Sequence, residues 1–414
     1  MNSLRFIAAN ARFLSAGVIL MLSSCPGQTF FISIFAAQIM TAFSLSDGEW
    51  GLLYTVATSA SAVALFFAGP LTDRFRVRVL AVLVMPGLIF ACAFMGFNTS
   101  VIGLMFAVFL LRFFGQGMMF QLAATAMARW FVAHRGLALS LSAMGFAFGQ
   151  AFYPMLFASL LTFYDWRYLW GVAAALVLMA FPAILLLLTF ERTPASHAEA
   201  TESAGMDGRH WTRSEVLRSP FFLMLLPMLL GPPAWGTALF FQQVHIAAAK
   251  GWPLVEYLAL IPLLTAVSVA VTLASGPVID RFGTRRAMQT FPVPWVFGFA
   301  ILSFSSNLGA AAVAFVILGA AHGLQATLIT AFWAEFFGTR HIGAIKAVST
   351  SVMVFGSAIG PGVSGVLIDA GLDFPAQMLW IAAFFAVAAA LVYFAVEQAF
   401  TRLPRLPKVD VERA

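Results

Sequence analysis

Long apolar runs follow one another from Phe13 to Gln398 with only short polar breaks between them. A helix that crosses a bilayer needs about 20 mostly apolar residues, and in lipid the backbone must satisfy its own polar groups. A chain patterned this way is constrained to be an all-α membrane protein. Its composition agrees: 61% of the 414 residues are hydrophobic and 10% charged, with a mean hydropathy of +0.93. Soluble domains carry about 25% charged residues, so a water-facing surface cannot be built from this chain. Cutting at the polar breaks predicts twelve spans, at 13–41, 50–70, 79–97, 101–128, 137–162, 168–190, 219–246, 255–279, 287–306, 310–336, 344–370 and 378–398. They are numbered 1 to 12 in chain order. The first apolar stretch runs well beyond the roughly 7–15 residues of a signal-peptide core, and reads as a retained span.

The net charge of +6 points to no nucleic acid, because basic residues of membrane proteins collect in cytoplasmic loops. With both termini inside, the predicted cytoplasmic segments hold twenty of the 23 basic residues and leave only Arg112, Arg167 and Lys250. This asymmetry predicts a multi-pass protein of the cell (inner or plasma) membrane with both ends cytoplasmic. The expected organisation is a tail at 1–12, a six-helix bundle at 13–190, a cytoplasmic linker at 191–218, a second bundle at 219–398 and a tail at 399–414. The polar linker is expected to be mobile. Cys25 and Cys92 sit in apolar segments without metal-binding spacing, and no metal or other cofactor is called for.

An ungapped shift of 207 residues superposes Pro26 on Pro233, Gly69-Pro70 on Gly276-Pro277, Asp73-Arg74-Phe75 on Asp280-Arg281-Phe282, Gly149 on Gly356 and Pro154 on Pro361. The chain is thus a tandem repeat. An even number of spans per copy keeps both in the same orientation, which predicts parallel halves about an axis along the membrane normal.

Two stretches at the cytoplasmic ends of spans 2 and 8 carry the strongest motif. They read Gly69-Pro70-Leu71-Thr72-Asp73-Arg74-Phe75-Arg76-Val77-Arg78 and Gly276-Pro277-Val278-Ile279-Asp280-Arg281-Phe282-Gly283-Thr284-Arg285-Arg286. Both resemble the G-x-x-x-D-R-x-G-R-[RK] signature of the major facilitator superfamily. In that family the motif's Asp and Arg pair with neighbouring helix ends and latch the cytoplasmic side, which implies gating roles for Asp73, Arg74, Asp280 and Arg281. As plain positive-inside anchors the arginines would not require an Asp in both copies. The first copy departs from the pattern with Arg76 in place of Gly. Trp130-Phe131 with His134-Arg135-Gly136, and Phe336-Phe337-Gly338-Thr339-Arg340 with Gly343, look like the monocarboxylate and oxalate–formate branches. Those branches often hold the substrate carboxylate with basic residues in spans 8 or 11. Here span 8 has none, and Lys346 lies at the cytoplasmic end of span 11.

The candidate substrate-binding residues come from depth and polarity. Arg112 in span 4, within an element similar to the family's R-x-x-x-G, lies roughly 16 Å into a hydrocarbon core about 30 Å thick. A cation there is costly, must face the bundle interior and is a functional candidate; the alternative is a structural arginine satisfied by carbonyls and amides. Gln116, one turn on, shares its face. Gly/Pro breaks at Cys25-Pro26-Gly27-Gln28-Thr29 and Gly231-Pro232-Pro233-Ala234-Trp235-Gly236-Thr237 are expected to interrupt spans 1 and 7 at matching depth, the best sequence pointer to a midplane site. They nominate Gln28, Thr29, Trp235 and Thr237, although such kinks also serve packing alone. In span 10, His322 and Gln325 share a face; the histidine could carry a proton or simply bridge helices. Tyr153 and Gln242 complete the set.

The superfamily resemblance implies alternating access about a central site, by a secondary transporter and not an enzyme. One clear charge within the membrane, Arg112, and no mid-depth carboxylate favour an anion. The substrate expected is a small organic anion such as a monocarboxylate, moved by proton symport or exchange through a monomer. The alternative is efflux of hydrophobic drugs or metabolites. A membrane-embedded receptor or enzyme would need a sensory domain or catalytic motif that the sequence does not contain.

Overall fold

A computed structural model describes residues 3–69, 71–131, 135–189, 204–338 and 340–403. Among these residues the chain is helix and turn throughout, without strands. Eleven helices are long and apolar enough to cross a membrane, and a pair bent by 44°, Arg281–Thr290 with Val293–Phe304, supplies the twelfth span. The bend falls at Pro292, which lacks the backbone donor a continuous helix needs. The polar breaks act as helix starts. Ser46 and Glu49 form a capping box on span 2, helix Asp47–Ala68. Ser100, Asp165, Ser219, Asn307 and Asp373 cap spans 4, 6, 7, 10 and 12 with their side chains.

The twelve spans pack as two six-helix bundles with matching internal pairs. Span 3 packs on 6 and span 1 on 5 in the first half, as span 9 packs on 12 and span 7 on 11 in the second. Missing side chains make the closest approaches possible. A Cβ on Gly145 of span 5 would fall 2.0 Å from the Val18 carbonyl of span 1, and one on Gly360 of span 11 would fall 2.0 Å from the Ala234 carbonyl of span 7.

The two expected breaks do not match. Span 1 is broken: its first helix, Ser3–Ser23, gives way to a tight turn at Cys25–Gly27, and Gln28 is extended with φ −90 and ψ 151 before helix resumes at Thr29. Span 7 is not interrupted at 231–237. It runs as one helix, Pro220–Phe241, through Pro227, Pro232 and Pro233, and turns only at Gln242. The prolines remove donors, but the close packing of Gly356 and Gly360 on the Leu230 and Ala234 backbone holds the helix wound, as neighbouring helices do in membranes.

Part of the linker is also more ordered than its composition predicts. Residues 190–203 lie outside the described residues, but Met206, Trp211 and Val216 are buried. Trp211 donates its backbone N–H to the Phe337 carbonyl at 3.0 Å, and Asp207 donates to the Arg402 carbonyl at 2.8 Å. Arg402 returns two bonds to the Asp207 carboxylate at 2.6 and 3.0 Å, which hold that carboxyl below its ordinary range. This strap fastens the linker to the ends of spans 10 and 12.

Among the described residues, hydrogen bonds between the halves gather at one end of the molecule. Asp369, at the end of span 11, accepts from the Ser46 hydroxyl at 2.6 Å and the Gly48 N–H at 3.0 Å, at the start of span 2. Ser33 of span 1 donates to the Phe240 carbonyl at 2.6 Å and accepts from Gln243 Nε2 at 3.0 Å. Thr55 of span 2 donates to the Ala358 carbonyl of span 11 at 2.7 Å.

Candidate functional site

The break in span 1 and a local rewinding of span 4 meet at Arg112. Between helices Val101–Leu111 and Phe120–Trp130, residues Arg112–Met119 form a π-helix, a winding often found at functional sites. The two irregular segments touch backbone to backbone, because a Cβ on Gly27 would fall 2.2 Å from the Leu111 carbonyl and 2.6 Å from the Gly115 Cα. Only glycine at 27 and 115 allows this approach.

Arg112 is 1% exposed. Its Nη1 donates to the Gly27 carbonyl, which the broken helix leaves free, and to Thr29 Oγ1, both at 3.2 Å. Thr29 Oγ1 in turn lies 2.8 Å from the Tyr54 hydroxyl of span 2. The guanidinium carbon sits 5.4 Å from the centroid of the Tyr54 ring, within cation–π range. Nε and Nη2 of Arg112 and Nε2 of Gln28 are buried without a hydrogen-bond partner among the described residues. No carboxylate pairs with Arg112 there either. A buried cation with two unsatisfied donors is costly and is chemically suited to a planar anion that takes two parallel hydrogen bonds.

Of the sequence-predicted residues, the structure brings Arg112, Gln28 and Thr29 together. Gln116 lies on the π-helix beside them, but no hydrogen bond joins it to Arg112 among the described residues. Tyr153 packs its ring against Phe31 and Phe157 inside the first half. Across the interface His322 packs edge-on to Trp295 with ring centroids 4.7 Å apart, and 6.4 Å from Phe240, which itself lies 6.4 Å from Phe30. Its Nε2 has no partner among the described residues. Gln325 is half-buried one turn along span 10, as is Thr237 in span 7. Trp235 packs on Phe384 of span 12, and Gln242 Nε2 donates to Ser364 Oγ of span 11 at 3.0 Å; both serve contacts within the second half. Sequence reasoning missed Tyr54, Ser33 and Gln243. Tyr54 sits in an unbroken apolar helix, and nothing in its neighbourhood marks it except a phenol placed among apolar residues.

The Major Facilitator Superfamily profile matches residues 17–289 and 264–410. The chain belongs to the Major Facilitator Superfamily. Among solved structures, a bacterial homolog of the human lysosomal transporter Spinster, inward-facing and unoccupied, is similar with a TM-score of 0.72 at 17% identity, covering 96% of this chain and 99% of that one. The same homolog in an inward-facing, occupied form reaches 0.71 at 16% identity, covering 97% and 99%. A substituted form of the nucleoside transporter NupG reaches 0.70 at 12% identity, covering 94% and 100%. No sequence among curated proteins matches the chain. As a superfamily member it is a multi-pass secondary transporter of a small-molecule substrate, not an enzyme.

The superfamily signature is visible in part. The side chains of Asp73, Arg74 and Asp280 lie outside what the structure describes. Arg281 is exposed, its guanidinium 5.5 Å from the Phe282 ring centroid. Arg285, from the same motif, makes a bidentate pair with Glu397 at the end of span 12, at 2.5 and 3.1 Å, and Thr284 donates to Glu335 of span 10. The motif's glycine matters in this copy: Gly283 has φ 81 and ψ 153, a conformation essentially closed to other residues. Arg76 at the equivalent place has φ −69 and ψ 145, ordinary extended backbone, so the first copy turns without a glycine.

Proposed function

We propose that this transporter moves a small organic anion, a monocarboxylate in the first instance, by alternating access coupled to proton symport or exchange, as a monomer. The observation that carries the reading is Arg112, buried at 1% exposure with Nε and Nη2 unsatisfied and no carboxylate beside it among the described residues. A carboxylate of the substrate would fill both donors at once. Gln28, whose amide nitrogen is also unsatisfied, would add a third bond. With the orientation read from the basic residues, the end tied by Asp369 and Ser46 is external and the state is inward-open; the inward-facing Spinster homolog supports this. The duplicated Asp73-Arg74 and Asp280-Arg281 pairs would latch the cytoplasmic end in the opposite state.

The test is ligand affinity on monodisperse purified protein, first screened by thermal shift against short monocarboxylates, dicarboxylates and lipophilic cations. Arg112→Lys keeps the charge without the planar fork, so partial binding survives. Arg112→Gln should weaken binding a hundred-fold or more, on the order of the 3–5 kcal/mol for breaking a buried pair from one side. Unchanged affinity in folded Arg112→Gln sinks the anion reading. Stabilisation by lipophilic cations alone would favour efflux instead, through the aromatic surfaces of Phe30, Phe240 and Trp295.

A further inference from the structure

Tyr54 touches both the buried cation and the opposite half. Its hydroxyl shares Thr29 Oγ1 with Arg112, and its ring lies against the guanidinium. That same ring packs on Phe241 of span 7, with centroids 4.8 Å apart. Trp50, one turn back on span 2, stacks on Phe241 at 5.7 Å and 23°. Phe241 is 2% exposed and Tyr54 is fully buried, so neither ring has room to move alone in an interior packed at crystal density.

We propose that Tyr54 is a positioning residue that transmits the state of Arg112 to the closed end of the transporter. In the described state Arg112 holds Thr29, Thr29 holds the phenol, and the phenol ring with Trp50 seats Phe241 beside the cross-half bonds of Ser33 and Gln243. When the guanidinium turns to another partner, Thr29 loses its charged donor, the phenol loses its fixed position, and Phe241 loses its seat. The closed end then loosens where the two halves meet at spans 1, 2 and 7. The link to a substrate rests on the anion reading of Arg112; the coupling of Arg112 to the closed end does not.

The experiment therefore uses unliganded full-length protein in lipid nanodiscs. Spin labels are placed through Thr99→Cys and Ser306→Cys, two exposed turn positions related by the internal repeat at the ends of spans 3 and 9. Cys25 and Cys92 are buried and stay in place. Pulsed-EPR distances report the ratio of open to closed molecules at that end. Tyr54→Phe keeps the ring and removes the hydroxyl, and should raise the open-to-closed ratio by roughly two- to ten-fold, the reach of one net hydrogen bond. Arg112→Gln should do the same, and the two together should do no more than either alone, because they interrupt one chain of contacts. A residue that merely fills space would not produce this pattern of additivity. If Tyr54→Phe does not fold, Thr29→Val cuts the same chain from its other side and carries the test. Unchanged distances in these variants, or full additivity with Arg112→Gln, overturns the proposal. Failure of the anion reading would appear in ligand affinity and leave these unliganded distances as expected, so the two failures are distinguishable.

Discussion

Arg167 and Lys250 cap equivalent helix ends in the two halves from exchanged positions in the repeat. Arg167 Nη1 donates to the Gly96 and Asn98 carbonyls at 3.2 and 2.5 Å, and Lys250 Nζ donates to the Ser303 and Ser305 carbonyls at 2.8 and 2.7 Å. The 207-residue shift carries Gly96 onto Ser303 and Asn98 onto Ser305. It also carries Phe43 onto Lys250 and Arg167 onto Phe374, and the Arg167 guanidinium lies 5.8 Å from the Phe43 ring centroid. The last carbonyls of spans 3 and 9 have no partner within their helices, and a cation there complements the helix dipole. Two of the three basic residues outside the predicted cytoplasmic segments thus have a structural task, which leaves Arg112 as the basic residue seeking one.

Lys250→Met and Arg167→Met should each lower stability by about 1–2 kcal/mol, the worth of a charge-assisted cap at a partly buried helix end. Ligand affinity should stay within two-fold, because neither cation approaches Arg112. Thermal midpoints of the purified variants, set beside binding isotherms, decide this; a large loss of affinity at an unchanged midpoint would instead give these residues a part in transport.

The two copies of the signature motif should respond differently to the same kind of change. Gly283→Ala forces a side chain into φ 81 and should cost about 1–3 kcal/mol of strain, slowing transport by displacing Arg285 from Glu397. Arg76→Ala replaces a residue with ordinary extended backbone and should leave stability within about 0.5 kcal/mol. Equal effects at the two positions would mean that the turn at Gly283 has no special demand.

The strap below spans 10 and 12 carries a pH signature. Arg402 hydrogen bonds hold the Asp207 carboxyl below its ordinary range, so the folded state favours the ionised form. That contribution is complete above the ordinary carboxylate value and is lost as pH falls through the lowered one. Protection of the 204–218 amides, with exchange rates taken relative to the intrinsic rate at each pH, should fall in that acidic window, by no more than about five-fold for an exposed ion pair. Asp207→Asn should show the lower protection already at neutral pH and keep only the acid dependence of Glu215, which Thr212 and Arg209 also hold below its ordinary range.

The fold was legible because its determinants are local. Apolar runs such as Val77 to Phe97 count the spans, and polar residues such as Ser100 and Asp373 mark their starts. Arg112 was legible for the same reason, since a cation at that depth needs no structure to be conspicuous. Tyr54 and Gln243 were not, because their roles depend on which spans of opposite halves meet, and a single sequence without paired variation holds no record of that. Span 7 misled for a related reason: Pro232 and Pro233 predict a break locally, and the glycines that prevent it lie more than a hundred residues away in span 11.

The orientation decides which face is closed, and it is open to direct measurement. Twenty of 23 basic residues fall on the side assigned to the cytoplasm, a bias that sets topology through short loops. Thr99 and Ser214 are both exposed, one in the turn between spans 3 and 4 and the other in the strap helix Arg213–Arg218. In intact cells an impermeant thiol reagent should modify Thr99→Cys and leave Ser214→Cys untouched until the membrane is permeabilised; wild-type Cys25 and Cys92 are buried and should give little background. The reverse pattern would place Asp369 and Ser46 at the cytoplasmic face, turn the described state into an outward-open one, and require the substrate to reach Arg112 from outside.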